Sequence, residues 1–100
     1  MLNITKKTEN NTAVFALEGR LDTTTAPQLE KEISEIINGL AELTLDLEKL
    51  EYISSAGLRV LLSTQKKMNV QGALKISHVG ETVMEIFEVT GFSDILTILA

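Results

Sequence analysis

One histidine, His78, no cysteine and six isolated glycines leave little from which a catalytic centre could be assembled. Nucleophilic catalysis needs a hydroxyl or thiol held by a base, and phosphate-binding loops need clustered glycines. Neither pattern is present in the chain. His78, at the end of a strand pattern, reads as a structural or surface residue. The acidic pairs Glu30 with Glu32 and Asp46 with Glu48 read as solvated faces that aid solubility. No enzyme activity, metal or cofactor is expected. The feature that stands out is Tyr52-Ile53-Ser54-Ser55-Ala56-Gly57-Leu58, which sets two hydroxyls where a strand-to-helix loop enters a helix. The first N–H groups of a helix lack internal partners and sit at the positive end of its dipole, so an anion attached to or bound near Ser55 would be stabilised there. The same residues also suit a plain structural role, with Ser54 or Ser55 as N-cap and Gly57 allowing close packing. The residue types alone leave both readings open.

The elements that must hold this segment follow from the apolar spacing. Leu2 and Ile4 alternate with polar neighbours, Glu9-Asn10-Asn11 marks a turn, and Ala13, Phe15 and Leu17 alternate again up to Gly19, which predicts a hairpin. Residues 25–28, Thr-Ala-Pro-Gln, have the form of a capping box with Pro27 in the first turn. They predict a helix whose stripe is Ala26, Leu29, Ile33, Ile36, Ile37 and Leu40. Leu43, Leu45 and Leu47 predict a third strand with one buried face. A second helix is expected over residues 55–68, with Leu58, Leu61, Leu62 and Met68 inward, ended by left-handed-tolerant residues between Asn69 and Gly72. Ala73–Ser77 is read as a fourth strand. Glu81–Thr90 is read as a third helix packed through Val83, Ile86, Phe87 and Thr90 and closed by Gly91. A final apolar run carries Leu96, Ile98 and Leu99, which would pack on the core or on a second copy. The fold class is therefore α/β: one domain spanning residues 1–100, with a leading β-hairpin, a mixed sheet of four to five strands, and three to four helices mainly on one face. Strands as short as Leu43 to Leu47, alternating rather than continuously apolar, argue against helices on both faces.

Composition narrows the function further. With 44% apolar residues the chain can bury a core of its own, so neither disorder nor a disulfide staple is called for. The lack of cysteine is consistent with a reducing compartment, and a cytoplasmic location is expected. No signal-peptide pattern or membrane span is read in it. A net charge of -5, with basic residues paired only at Lys6-Lys7 and Lys66-Lys67, disfavours nucleic acid as a partner.

The segment from Tyr52 to Leu62, together with Gly19-Arg20-Leu21-Asp22, the Thr-rich turn after it and Ala26, resembles the STAS domain of bacterial anti-sigma factor antagonists. The strand Leu43-Thr44-Leu45-Asp46-Leu47 and the pair Gly91-Phe92 extend the resemblance over the whole chain. It implies a small acidic protein that binds an anti-sigma factor, itself a serine kinase that brings ATP and Mg²⁺, so that a sigma factor is released. It also implies that phosphorylation ends the binding and that a serine phosphatase restores it. By motif, Ser55 resembles the family's phosphoacceptor. Ser54, where many members have Asp, is a second candidate hydroxyl, and Ala56 stands where members often have Ser or Thr. Asp22 resembles the acidic residue beside the acceptor on the partner-facing surface; an Asx-type turn is the structural alternative for it. The expected partner-binding set is Asp22, Thr23, Thr24, Ser54, Ser55, Ala56, Gly57 and Leu58. STAS domains also serve as scaffold or regulatory modules in signalling and transport assemblies, which gives the alternative function. The protein is expected to be a monomer.

Overall fold

The computed structural model of the protein describes residues 1–99. Strands β1 (Leu2–Glu9) and β2 (Thr12–Leu21) form the hairpin, paired from Leu2 opposite Gly19 to Glu9 opposite Thr12. Asn10 turns it at a φ of 54°, a left-handed conformation that asparagine tolerates. Helix α1 (Ala26–Ser34), strand β3 (Glu42–Ile53), helix α2 (Ser55–Gln71), strand β4 (Ala73–Ser77) and helix α3 (Glu81–Thr90) follow. A 3-10 turn at Phe92–Asp94 and a short strand β5 (Thr97–Ile98) end the chain. The sheet runs β1-β2-β3-β4-β5, antiparallel only between β1 and β2. A strand order that follows the sequence, with a helix in every parallel crossover, carries successive strand ends to the same edge of the sheet.

Alternation along the strands decides which face carries helices. Ala13, Phe15 and Leu17 of β2, Leu43, Leu45 and Leu47 of β3, and Leu74 and Ile76 of β4 are buried. They form one core with Leu29 and Ile33 of α1, Leu58, Leu61 and Met68 of α2, and Val83 and Phe87 of α3. Thr44, Asp46, Lys75 and Ser77, on the opposite face, stay partly exposed. Phe15 and Phe87 are wholly buried, and truncating either to alanine would cost about 3–5 kcal/mol.

Several boundaries differ from those the sequence predicts. Thr25 makes no capping hydrogen bond to α1, because its hydroxyl is used within the preceding loop. The Gln28 amide donates to the Leu2 carbonyl at 3.2 Å and does not reach back to the cap. Helix α1 stops at Ser34, so Ile36, Ile37 and Leu40 lie in a turn, although Ile37 and Leu40 are buried as expected. The amide of Gln71 satisfies that turn by donating to the carbonyls of Ile37 at 2.6 Å and Leu40 at 2.8 Å. Helix α2 runs three residues beyond Met68, with Val60, Thr64 and Gln65 buried and Leu62 only half-buried. Gly72 ends it in an extended conformation, where a Cβ would lie 2.0 Å from the Ala41 carbonyl oxygen. Close approach of two backbones, and no left-handed turn, requires glycine there. Ile86 is half-buried and Thr90 exposed, while Gly91 closes α3 in the left-handed conformation. Leu96 is core, Ile98 half-buried and Leu99 exposed.

Candidate functional site

The largest departure from the predicted elements shapes the site. Strand β3 continues through Tyr52 to Ile53, and β2 continues to Leu21, so the two strands end side by side with Leu21 opposite Ile53. The Ser54 N–H then donates to the Leu21 carbonyl at 2.9 Å. This bond fixes the entrance of α2 against the loop that starts at Asp22. Gly57 completes the contact: a Cβ there would lie 2.8 Å from both Ile53 Cγ1 and Leu21 Cγ. Only glycine lets the first turn of α2 sit on these two strand ends.

Ser54 is the N-cap, in an extended conformation, with its Oγ accepting from the Gly57 N–H at 3.4 Å. Ser55 is the first helical residue and is exposed, and its hydroxyl makes no protein hydrogen bond among those of the described residues. The choice between Ser54 and Ser55 as cap therefore falls to Ser54. The first turn of α2 carries no acidic residue. The positive end of the helix is thus met by no acidic side chain of its own first turn.

The Asp22 loop is closed on itself. Asp22 Oδ1 accepts from the Thr24 hydroxyl at 2.8 Å, the Thr24 N–H at 3.0 Å and the Thr25 N–H at 3.2 Å. The buried Thr25 hydroxyl donates to the Arg20 carbonyl at 2.9 Å and accepts from the Asp22 N–H at 2.8 Å. The Asx-type turn, the structural alternative for Asp22, is formed. The Thr24 hydroxyl, and after it the backbone N–H groups of Thr25 and Thr24, hold the Asp22 carboxyl below its usual range against an opposing desolvation effect.

Of the eight residues expected to meet a partner, Thr23, Thr24 and Ser55 are exposed, and Asp22, Ser54 and Ala56 are half-buried. Gly57 and Leu58 are buried, so they position the others. The structure adds residues the sequence reading missed. Arg20 stacks its guanidinium 4.5 Å from the centre of the Tyr52 ring and lies 3.9 Å from Asp22 Oδ2. A groove between α1 and α2 is lined by Thr23, Ala26, Glu30, Ala56 and Arg59. The signal for Arg20 with Tyr52 was their strand register, which required the full length of β3.

His78 Nδ1 lies 3.1 Å from Asp46 Oδ1 on the open sheet face. Among the described residues Asp46, Glu48 and His78 form the one trio whose metal-ligating atoms lie within 4.8 Å of one another. The Asp46 carboxylate, which also accepts from the Glu48 N–H at 3.1 Å, accounts for this grouping as a hydrogen-bonded pair beside a strand irregularity. It lies away from the entrance of α2.

The STAS domain profile matches residues 3–100. The chain belongs to the STAS domain family. A Bordetella bronchiseptica protein designated anti-sigma factor antagonist BtrV is 39% identical over 87 residues, covering 85% of this chain and 75% of that protein. The anti-sigma-B factor antagonist of Bacillus subtilis is 30% identical over 100 residues, covering 99% of this STAS domain and 92% of its relative. Among solved structures, the Bacillus cell fate determinant SpoIIAA in its phosphorylated form superposes with a TM-score of 0.75 at 20% identity, over 98% of this chain and 92% of that one. The five-stranded mixed sheet with three helices is the STAS fold. Among the described residues no helix is long and apolar enough to cross a membrane.

Proposed function

We propose that this STAS domain is an anti-sigma factor antagonist of the cytoplasm. In this reading the unmodified surface around Ser55 binds an anti-sigma factor that is a serine kinase, and phosphorylation of Ser55 ends the binding until a serine phosphatase removes the ester. The observation that carries the reading is the Ser55 hydroxyl, exposed and unpartnered at the first position of α2, next to the ordered Asp22 loop. The names of the relatives support the general role. Small side chains at Ser54, Ser55 and Ala56 allow close approach, and the partner supplies ATP, Mg²⁺ and the group that orients the hydroxyl. The STAS domain is the substrate.

A phosphoserine carries about -1.5 to -2 charge at neutral pH. In an interface fitted to a neutral hydroxyl it brings bulk, desolvation and repulsion from Asp22. A penalty of about 3 kcal/mol corresponds to a loss of affinity of more than a hundredfold, enough to pass from mostly bound to mostly free. Helix α2 need not refold, because its own N-terminus tolerates the charge. Incubation with the cognate kinase and labelled ATP tests the assignment: Ser55→Ala should lose the label, and Ser55→Asp should bind the kinase far more weakly than wild type. Label retained in Ser55→Ala moves the acceptor to another residue, with Ser54 first to be examined. An absence of label in the wild type, with a non-kinase partner stably bound, would make the domain a scaffold module.

A further inference from the structure

We propose that Arg59 is the internal counter-ion of phosphorylated Ser55, a clasp that holds the ester against α2 in the unbound state. The inference rests on Ser55 being the acceptor. Both residues lie in α2, four positions apart, and both are exposed. Residues at this spacing share a helix face, and the later side chain leans toward the helix N-terminus, which places the Arg59 guanidinium over the turn that Ser55 begins. Arg59 lines the groove at the entrance of α2 with Thr23, Ala26 and Ala56.

The cations with side-chain partners differ from Arg59. Lys6 is paired with Glu32, Lys75 with Glu42, and Arg20 lies over Tyr52 beside Asp22. Among the described residues no carboxylate lies within 4.0 Å of the Arg59 side chain, so its charge is available. Three other charges face this corner. Glu30 of α1 lines the same groove, and Arg20 and Asp22 stand at the end of β2. Glu30 offers Arg59 one charge across a groove. A phosphate on Ser55 offers nearly two, with three acceptor oxygens, one helical turn away, and a guanidinium can meet it with two parallel hydrogen bonds. Asp22 competes little for Arg59, because its Oδ1 is filled by Thr24 and Thr25 and its Oδ2 faces Arg20. The ester thereby gains a contact that the bare hydroxyl cannot make.

Phosphoserine installed at position 55 by chemical ligation provides the test, since the titration of its phosphate by ³¹P NMR does not depend on any kinase. Arg59→Gln should raise the second phosphate pKa by roughly 0.3 unit, Arg59→Lys should retain part of the depression, and Arg20→Gln should leave it unchanged. The Arg59→Gln difference should fade at about 1 M salt, where the screening length is near 3 Å. Equal midpoints for wild type and Arg59→Gln, or a shift produced by Arg20→Gln instead, would overturn the clasp. Kinase labelling of Ser55→Ala decides the acceptor separately, so a failed clasp and a failed acceptor give different results. The unmodified Arg59→Gln protein should melt with the wild type, which separates the effect from a folding defect.

Discussion

Residues 20–25 and residues 53–57 meet at the entrance of α2 and dispose of their polar groups in different ways. In the first segment Asp22 Oδ1 accepts three hydrogen bonds and Thr25 bridges Arg20 and Asp22. In the second, one backbone bond from Ser54 and one cap bond hold the geometry, and the Ser55 hydroxyl is left over. The difference teaches what each can contribute. A turn whose donors and acceptors are filled by one another is a rigid support with few free groups for a partner. An exposed hydroxyl on a fixed helix start is a group whose modification disturbs nothing inside. Under the proposed function, the acidic residue supports the surface and the serine carries the switch.

Substitutions that break this contrast should rank by how much of the support they remove. Gly57→Ala drives a methyl group into Leu21 and Ile53, and should cost about 1–3 kcal/mol in chemical denaturation despite alanine's better helix propensity. Thr25→Val keeps the volume and strands the Asp22 N–H and the Arg20 carbonyl, for a loss of about 1–3 kcal/mol. A variant as stable as the wild type would show that water replaces the Thr25 hydroxyl without loss. Ser54→Ala should cost about 0.5–1 kcal/mol, at the low end for a cap because its bond to Gly57 is long. Asp22 gives a pH signature. Its folded-state pKa lies below the ordinary 3.8, so its contribution to stability is complete above that value and is lost as pH falls through the folded-state pKa. Acid unfolding of Asp22→Asn should show less stability lost in that window, and an unchanged profile would remove the loop from the acid response. Ser55→Ala should shift stability by less than about 0.5 kcal/mol, because no bond is broken. A larger loss would make Ser55 part of the structural support.

Much of this was legible in the residue order. The hairpin, the buried alternation of Leu43, Leu45 and Leu47, and the close packing at Gly57 follow from period and residue size, which act locally. The missed details depend on contacts distant in sequence. Strand β3 outlasts its alternation because a register shift lets Glu48 and Lys49 both face solvent between buried Leu47 and Leu50. Thr25 looked like a cap because its spacing to Gln28 suits one, yet the carbonyl of Arg20 and the N–H of Asp22 capture its hydroxyl first. Ile37 and Leu40 keep their helical spacing outside any helix, since burial in the core holds their side chains and the Gln71 amide pairs their carbonyls. At the site, exposure separated Ser55 from its buried neighbours Gly57 and Leu58, a distinction that a motif read as one string does not contain.

The bond from the Ser54 amide to the Leu21 carbonyl is the seam between two stretches of chain more than thirty positions apart. Its single proton is a built-in gauge. The rate at which that proton is traded for deuterium records how often the seam parts, with no label attached and no side chain altered, whether the neighbouring serine is bare, esterified or covered.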